Sequence, residues 1–262
     1  MTNVLTGWQE SRFAHGGIEH RVYRRGAGPG VIVMHEIPGI TPPVARFANV
    51  VADAGFTVLM PWMFGEVGRP KTTSYAVSEI ARACVSREFS VLAARGSSPI
   101  TDWLRALARQ LHVELGGPGV GAIGMCLTGN FALAMSVDAA MMAPVLCQPS
   151  LPAGLGAERR AGLHVSDDAL VTVKDRCAKA NLRVLGLRFT KDGAVPDERF
   201  AHLREELGAG FEAFEIDSSR GNPHGISRRA HSVLTEDFVD REGHPTRAAL
   251  DRVLAFFGER LR

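Results

Sequence analysis

The sequence predicts an α/β fold, a mostly parallel central sheet with helices on both faces. Three observations point to it. Short apolar runs of the fully buried strand type, such as Val31-Ile-Val-Met34, alternate with segments whose apolar residues recur at helical spacing. Glycine and proline punctuate the junctions, as at Gly28-Pro-Gly30, Gly55 and Pro61. The 262 residues are 45% hydrophobic and 22% charged, enough apolar material for a substantial core.

Taken in order, Ile18-Glu-His-Arg-Val-Tyr23 alternates as an early, half-exposed strand does, and the buried strand 31–34 follows the turn at Gly28. Val44 to Ala54 places Val44, Phe47, Val50 and Val51 at helical spacing and stops at Gly55. Phe56-Thr-Val-Leu-Met60 is the next strand. Residues 65–100 carry the weakest pattern: a loop at Gly65, Gly68 and Pro70, a helix from Tyr75 to Leu92, and a break at Gly96-Ser-Ser-Pro99. Thr101 or Asp102 is expected to cap a helix running to about Leu115. Strands are expected at 119–125, 141–147, 183–189 and 211–216, and helices at 127–137, 168–180, 197–208 and 246–261. Phe256 and Phe257 should dock the last helix on the sheet. With no internal repeat and no low-complexity linker, residues 1–262 read as one domain.

Composition narrows the function. A formal net charge of +2 with no basic stripe argues against nucleic-acid binding. No apolar run approaches the roughly 20 residues of a spanning helix. The first ten residues lack a basic region followed by an apolar one, so no signal peptide is expected. Cys84, Cys126, Cys147 and Cys177 lie far apart without a Cys-x-x-Cys pair, which disfavours a disulfide framework or zinc site. The expectation is a reduced, cytoplasmic protein, monomeric or a small homo-oligomer, acting on a small molecule.

One stretch carries chemistry. Gly119-Val-Gly-Ala-Ile-Gly-Met-Cys-Leu-Thr-Gly-Asn130 runs an apolar strand into a cysteine, and Phe131-Ala-Leu-Ala-Met135 opens a helix at once. A nucleophile on a sharp strand-to-helix turn needs small neighbours, and Gly124 and Gly129 flank Cys126 as Gly-x-Cys-x-x-Gly. The sulfur would stand at a helix start, where amides and the helix dipole favour an anion. The other three cysteines read as core packing.

A thiol nucleophile needs a base, and the base an orienting acid, in the chain order nucleophile, acid, histidine. Asp192 follows the strand ending at Phe189, in Asp192-Gly-Ala-Val-Pro196. For the base, His224 in Asn222-Pro-His-Gly-Ile226 follows the strand 211–216 through a loop rich in Ser, Gly and Asn. His231 and His244 lie further from that strand end and read as surface histidines. The oxyanion hole should use the backbone N–H of Leu127, after the nucleophile, and that of Ile37, in the loop after strand 31–34.

His35-Glu-Ile-Pro-Gly-Ile40, Gly124-Met-Cys-Leu-Thr-Gly129, Asp192-Gly-Ala-Val-Pro196 and Pro223-His-Gly225 together resemble the dienelactone hydrolase family of α/β-hydrolases. The resemblance implies a Cys126, Asp192, His224 triad that opens esters or lactones through a thioester acyl-enzyme, with no metal or organic cofactor. It implies that Glu36 tethers the resting thiol. It also places Arg228, four positions after His224, where dienelactone-specific members bind a substrate carboxylate. Arg82 or Arg87 could supply a second cation. Thr128 departs from the family's frequent glycine, and Cys147-Gln-Pro-Ser-Leu-Pro152 from its aromatic-glycine loop, so the substrate need not be a dienelactone. A general carboxylesterase or thioesterase with the same triad, and a catalytically silent ligand-binding relative, remain alternatives.

Overall fold

A computed structural model describes residues 4–86, 89, 98–150 and 160–262, apart from the side chains of residues 84 and 85. Its eight strands form one sheet in the order β1-β2-β4-β3-β5-β6-β7-β8. They are β1 (Gln9–His15), β2 (Ile18–Arg25), β3 (Gly30–Met34), β4 (Thr57–Trp62), β5 (Val120–Met125), β6 (Met141–Cys147), β7 (Val184–Phe189) and β8 (Phe211–Ile216). β1 and β2 pair antiparallel, as do β2 and β4, and every later pair is parallel. The expected mostly parallel sheet is therefore present.

Among the described residues the helices are α1 (Pro42–Asp53), α2 (Thr73–Val85), α3 (Pro99–Leu115), α4 (Gly129–Met135), α5 (Asp167–Lys179), α6 (Asp197–Leu207) and α7 (Pro245–Leu261). Alternate residues of the central strands feed two cores. Val31, Val33, Ile123 and Val145 meet Phe47 and Val51 of α1 and Val253, Phe256 and Phe257 of α7. Ile32, Met34, Ala122 and Leu146 meet Trp103 and Leu107 of α3, Phe131 of α4 and Phe200 of α6. Strands covered on both faces lose the in-out alternation, which is why they read as continuous apolar runs. Phe256 and Phe257 dock the last helix as expected.

Three elements differ from the sequence reading. β1 went unread because its burial pattern is exposed almost throughout, and a polar edge strand carries no periodic signal. α3 begins earlier, with Ser98 as N-cap and Pro99 in its first turn, so Thr101 lies buried inside the helix. α2 spans Thr73–Val85 with Ser86 as its C-cap, and Leu92, the expected helix end, lies outside the described residues.

The strand order positions the functional end. β3 lies between β4 and β5, so the chain leaves β3 first to one side and then to the other. In such sheets a crevice opens beyond the carboxyl ends of the strands at the reversal. Met34 pairs with Gly124, which sets the loop after β3 directly beside the turn after β5.

Candidate active site

Cys126 follows β5 at the first position of a 3₁₀ turn leading into α4, with φ of 58°, in the left-handed region that side-chain-bearing residues rarely adopt. The flanking glycines are sterically required. A Cβ on Gly124 would lie 1.9 Å from the Thr128 carbonyl oxygen, and one on Gly129 would lie 2.9 Å from the Pro149 Cα. Thr128 turns its hydroxyl inward. Its Oγ1 accepts from the Met125 N–H at 2.8 Å, and its proton has the carbonyls of Met125, Met34 and His35 within 2.9, 3.1 and 3.3 Å. The β-branched residue thus staples the strained turn to the end of β3.

Ile37 and Leu127 are buried and pack against each other with Ala83, flanked by Phe64 and Ala76. This brings the loop after β3 beside the turn, and the Leu127 N–H belongs to the first turn of a helical segment, where amides lack intrahelical partners. His35 braces that loop: its Nε2 accepts from the Met63 N–H at 3.1 Å, and its ring meets Phe64 edge to face at 4.4 Å. Burial pushes the His35 pKa down to about 4, so the ring stays neutral and Nε2 remains an acceptor.

Asp192 sits in the turn after β7. Its Oδ1 accepts from the Ala194 N–H at 2.9 Å, and its Oδ2 lies 2.6 Å from a histidine Nδ1. That histidine is His231, not His224. Burial alone would disfavour a charge on the His231 ring, but the hydrogen-bonded Asp192 carboxylate, with the Cys126 sulfur nearby, outweighs it and lifts the pKa well above the ordinary value. With Nδ1 committed to Asp192, Nε2 is the nitrogen left to face the sulfur. The His231 side chain is 22% exposed.

His224 is exposed, and its ring meets that of His244 edge to face at 5.5 Å. The cause is local. Asn222 Oδ1 accepts from the N–H groups of His224 and Ile226, and Asn222 Nδ2 donates to the Ser219 and Ile226 carbonyls. These bonds curl the segment so that His224 faces outward while Ile226 packs at the core's edge, and the chain is fully buried again at Ala230, Val233 and Leu234. The available signal for His231 was the apolar pair just after it, in His231-Ser-Val-Leu-Thr235, which marks a return to the sheet.

Glu36 also departs from its expected place. It is 1% exposed, yet its Oε2 accepts from the Ser232 hydroxyl at 2.7 Å and its Oε1 from the Thr235 hydroxyl, with the Lys71 ammonium 3.9 Å away. The carboxylate clasps the loop behind His231, while the Cys126 sulfur lies 2.9 Å from Ser150 Oγ. Arg228 is exposed. Counted from His231, the offset assigned to a carboxylate-binding arginine falls on Thr235, whose hydroxyl is spent on Glu36. Arg82 is exposed and paired with Glu79 at 2.7 Å, and Arg87 lies outside the described residues.

The sequence reading missed Arg199 on α6. Its buried guanidinium donates to the carbonyls of Pro149 (2.6 Å), Gly162 (2.9 Å) and Ala194 (3.3 Å), joining the loop after β6 to the acid turn. Burial lowers its pKa to about 10. Cys147 lies in the core, where burial raises its pKa well above the usual thiol value, and Cys177 packs at the core's edge. The side chain of Cys84 is outside the described set. Among the described residues no group of three or more His, Cys, Asp or Glu could hold a metal ion.

A sequence profile of the dienelactone hydrolase family matches residues 20–261. The chain belongs to the dienelactone hydrolase family. A Saccharomyces cerevisiae protein named "Putative carboxymethylenebutenolidase" is 28% identical over 117 residues, which is 44% of this chain and 41% of that protein. The match thus spans under half of that curated relative. A dienelactone hydrolase from Anabaena variabilis superposes with a TM-score of 0.58 at 16% identity, covering 98% of this chain and 100% of its own. A Klebsiella pneumoniae structure titled "Putative Dienelactone Hydrolase" gives 0.63 at 17% identity, covering 96% and 98%. At such identities the two structures show a shared fold, and the profile match makes the chain a hydrolase-family member with the α/β-hydrolase fold. No helix among the described residues is long and apolar enough to cross a membrane.

Proposed function

We propose that the protein hydrolyses small carboxylic esters or lactones with Cys126 as nucleophile, His231 as base and Asp192 as its orienting acid. The observation that carries this reading is the 2.6 Å contact of Asp192 with His231, made beside a cysteine held at a φ of 58°. His231 Nε2 takes the thiol proton, Cys126 attacks the carbonyl carbon, and the Ile37 and Leu127 N–H groups hold the oxyanion. The imidazolium then protonates the departing alkoxide, leaving a thioester. Water deprotonated by His231 opens the thioester, and the carboxylic acid leaves. A free thiol nucleophile suits a reducing compartment, and a cytoplasmic location is part of this proposal.

Judged on the described residues, neutral substrates fit better than carboxylate-bearing ones. Thr235 stands where the resemblance would put an arginine, and the nearby cation, Lys71, faces the carboxylate of Glu36. The test is steady-state hydrolysis of an aryl acetate, a neutral butenolide and a carboxylate-bearing dienelactone by wild type and Cys126→Ala. Loss of turnover in the variant, with the neutral substrates preferred, is the expected result. Equal turnover by the variant would remove the thiol from the reaction.

A further inference from the structure

The sulfur of Cys126 has a hydroxyl neighbour that the triad does not use. Ser150 lies just beyond β6, 4% exposed, with its Oγ 2.9 Å from Cys126 Sγ. The placement is built. The Ser150 N–H donates to the Cys126 carbonyl at 3.0 Å, tying the two residues together through the backbone. Asn130, buried in the first turn of α4, donates through Nδ2 to the Ser150 carbonyl at 2.9 Å and to the Leu127 carbonyl at 3.1 Å. Arg199 holds the preceding Pro149 carbonyl at 2.6 Å. Ser150 therefore has little freedom to leave the sulfur.

The proposed Cys126 chemistry is the premise here, and on that premise we propose that Ser150 is a further catalytic residue whose hydroxyl donates a hydrogen bond to the Cys126 thiolate. When the thiol proton passes from Sγ to His231 Nε2, the Ser150 O–H turns to the sulfur and keeps its own proton. Attack spends the sulfur lone pair on the new C–S bond, and the hydrogen bond weakens. As the acyl-enzyme breaks down, the C–S electron pair returns to sulfur and the hydrogen bond re-forms, which eases departure of the thiolate. Hydrogen bonds to ionised groups are about twice as strong as neutral ones, so the gain falls on the charged state.

A carboxylate tether on the sulfur would have the opposite effect, because its charge repels a forming thiolate. In this chain the Glu36 carboxylate bonds to Ser232 and Thr235 of the base loop, and a neutral hydroxyl stands at the sulfur.

The experiment is the rate of iodoacetamide alkylation against pH, read by mass spectrometry on the Cys126 peptide, for wild type, Ser150→Ala and Ser150→Thr. Thermal unfolding of each variant accompanies it. The expected result is alkylation of Ser150→Ala about tenfold slower near pH 6–7, converging with wild type in alkali near pH 10. Ser150→Thr, which keeps the hydroxyl, should recover most of the rate. Superimposable profiles for wild type and Ser150→Ala would overturn the proposal, even with ester turnover intact. A slowed profile in a protein that hydrolyses no ester would leave the Ser150 bond standing and contradict the ester-hydrolase reading instead.

Discussion

The turn that carries Cys126 is shaped by residues beside it in sequence, Gly124, Thr128 and Gly129, even where these meet Met34, His35 and Pro149, whereas the loop that carries His231 is held by Glu36, 196 and 199 positions away from Ser232 and Thr235. In the first region, two glycines and a threonine within five residues of one another determine the backbone, and each leaves a mark in the sequence. In the second, a buried carboxylate from the loop after β3 anchors the segment behind His231, while Asn222 turns His224 away locally. Asp237 adds to it by accepting from the N–H groups of His231 and Ser232 at 2.8 and 2.9 Å. Short-range steric demands are written locally; a docking contact between distant segments is not.

The largest expected effect comes from breaking the bond between the acid turn and the base loop. Asp192→Asn should lower kcat/KM for an aryl ester by about 10³- to 10⁴-fold, through loss of the ring's tautomer and orientation. The same variant bears on stability. The His231 pKa is raised in the folded protein, so its contribution is fully present below its ordinary value of about 6.5 and fades as pH rises through the raised one. The stability gap between wild type and Asp192→Asn, measured by urea unfolding, should be widest near pH 6 and narrow in alkali.

A smaller effect is expected from the local region. Gly124→Ala would drive a methyl group to within 1.9 Å of the Thr128 carbonyl oxygen, backbone that the Thr128 staple prevents from moving. Overpacking against backbone of this kind should cost about 3 kcal/mol, read from the urea midpoint.

How much was legible follows from the same contrast. Cys126, its glycines and the buried strands could be read because each demand selects a residue type at the position that meets it, even where, as for Gly129 against Pro149, the neighbour is distant. Asp192 could be read because it follows an apolar strand directly. His224 was preferred to His231 because it stands closer to β8 in sequence, yet Asn222 bends that segment outward. Glu36 was rightly placed on the loop after β3, but its partners, Ser232 and Thr235, lie on the base loop. Ser150 and Arg199 left no pattern, since each acts through backbone carbonyls or a single sulfur contact.

The smallest effect belongs to Arg228. It was singled out by its offset from His224, and in the structure it lies on the exposed side of the base loop. Arg228→Ala should leave kcat/KM within about twofold for neutral and acidic substrates alike, as expected of a solvated surface charge. Selective loss on the carboxylate-bearing dienelactone would return a cationic pocket to that loop.

The most direct test of the account is a comparison of His231→Ala with His224→Ala in single-turnover acylation by an aryl acetate. Acylation should fall by about 10³-fold or more in His231→Ala and stay within about twofold of wild type in His224→Ala. The reverse order, or equal loss in both, would contradict the placement of the base.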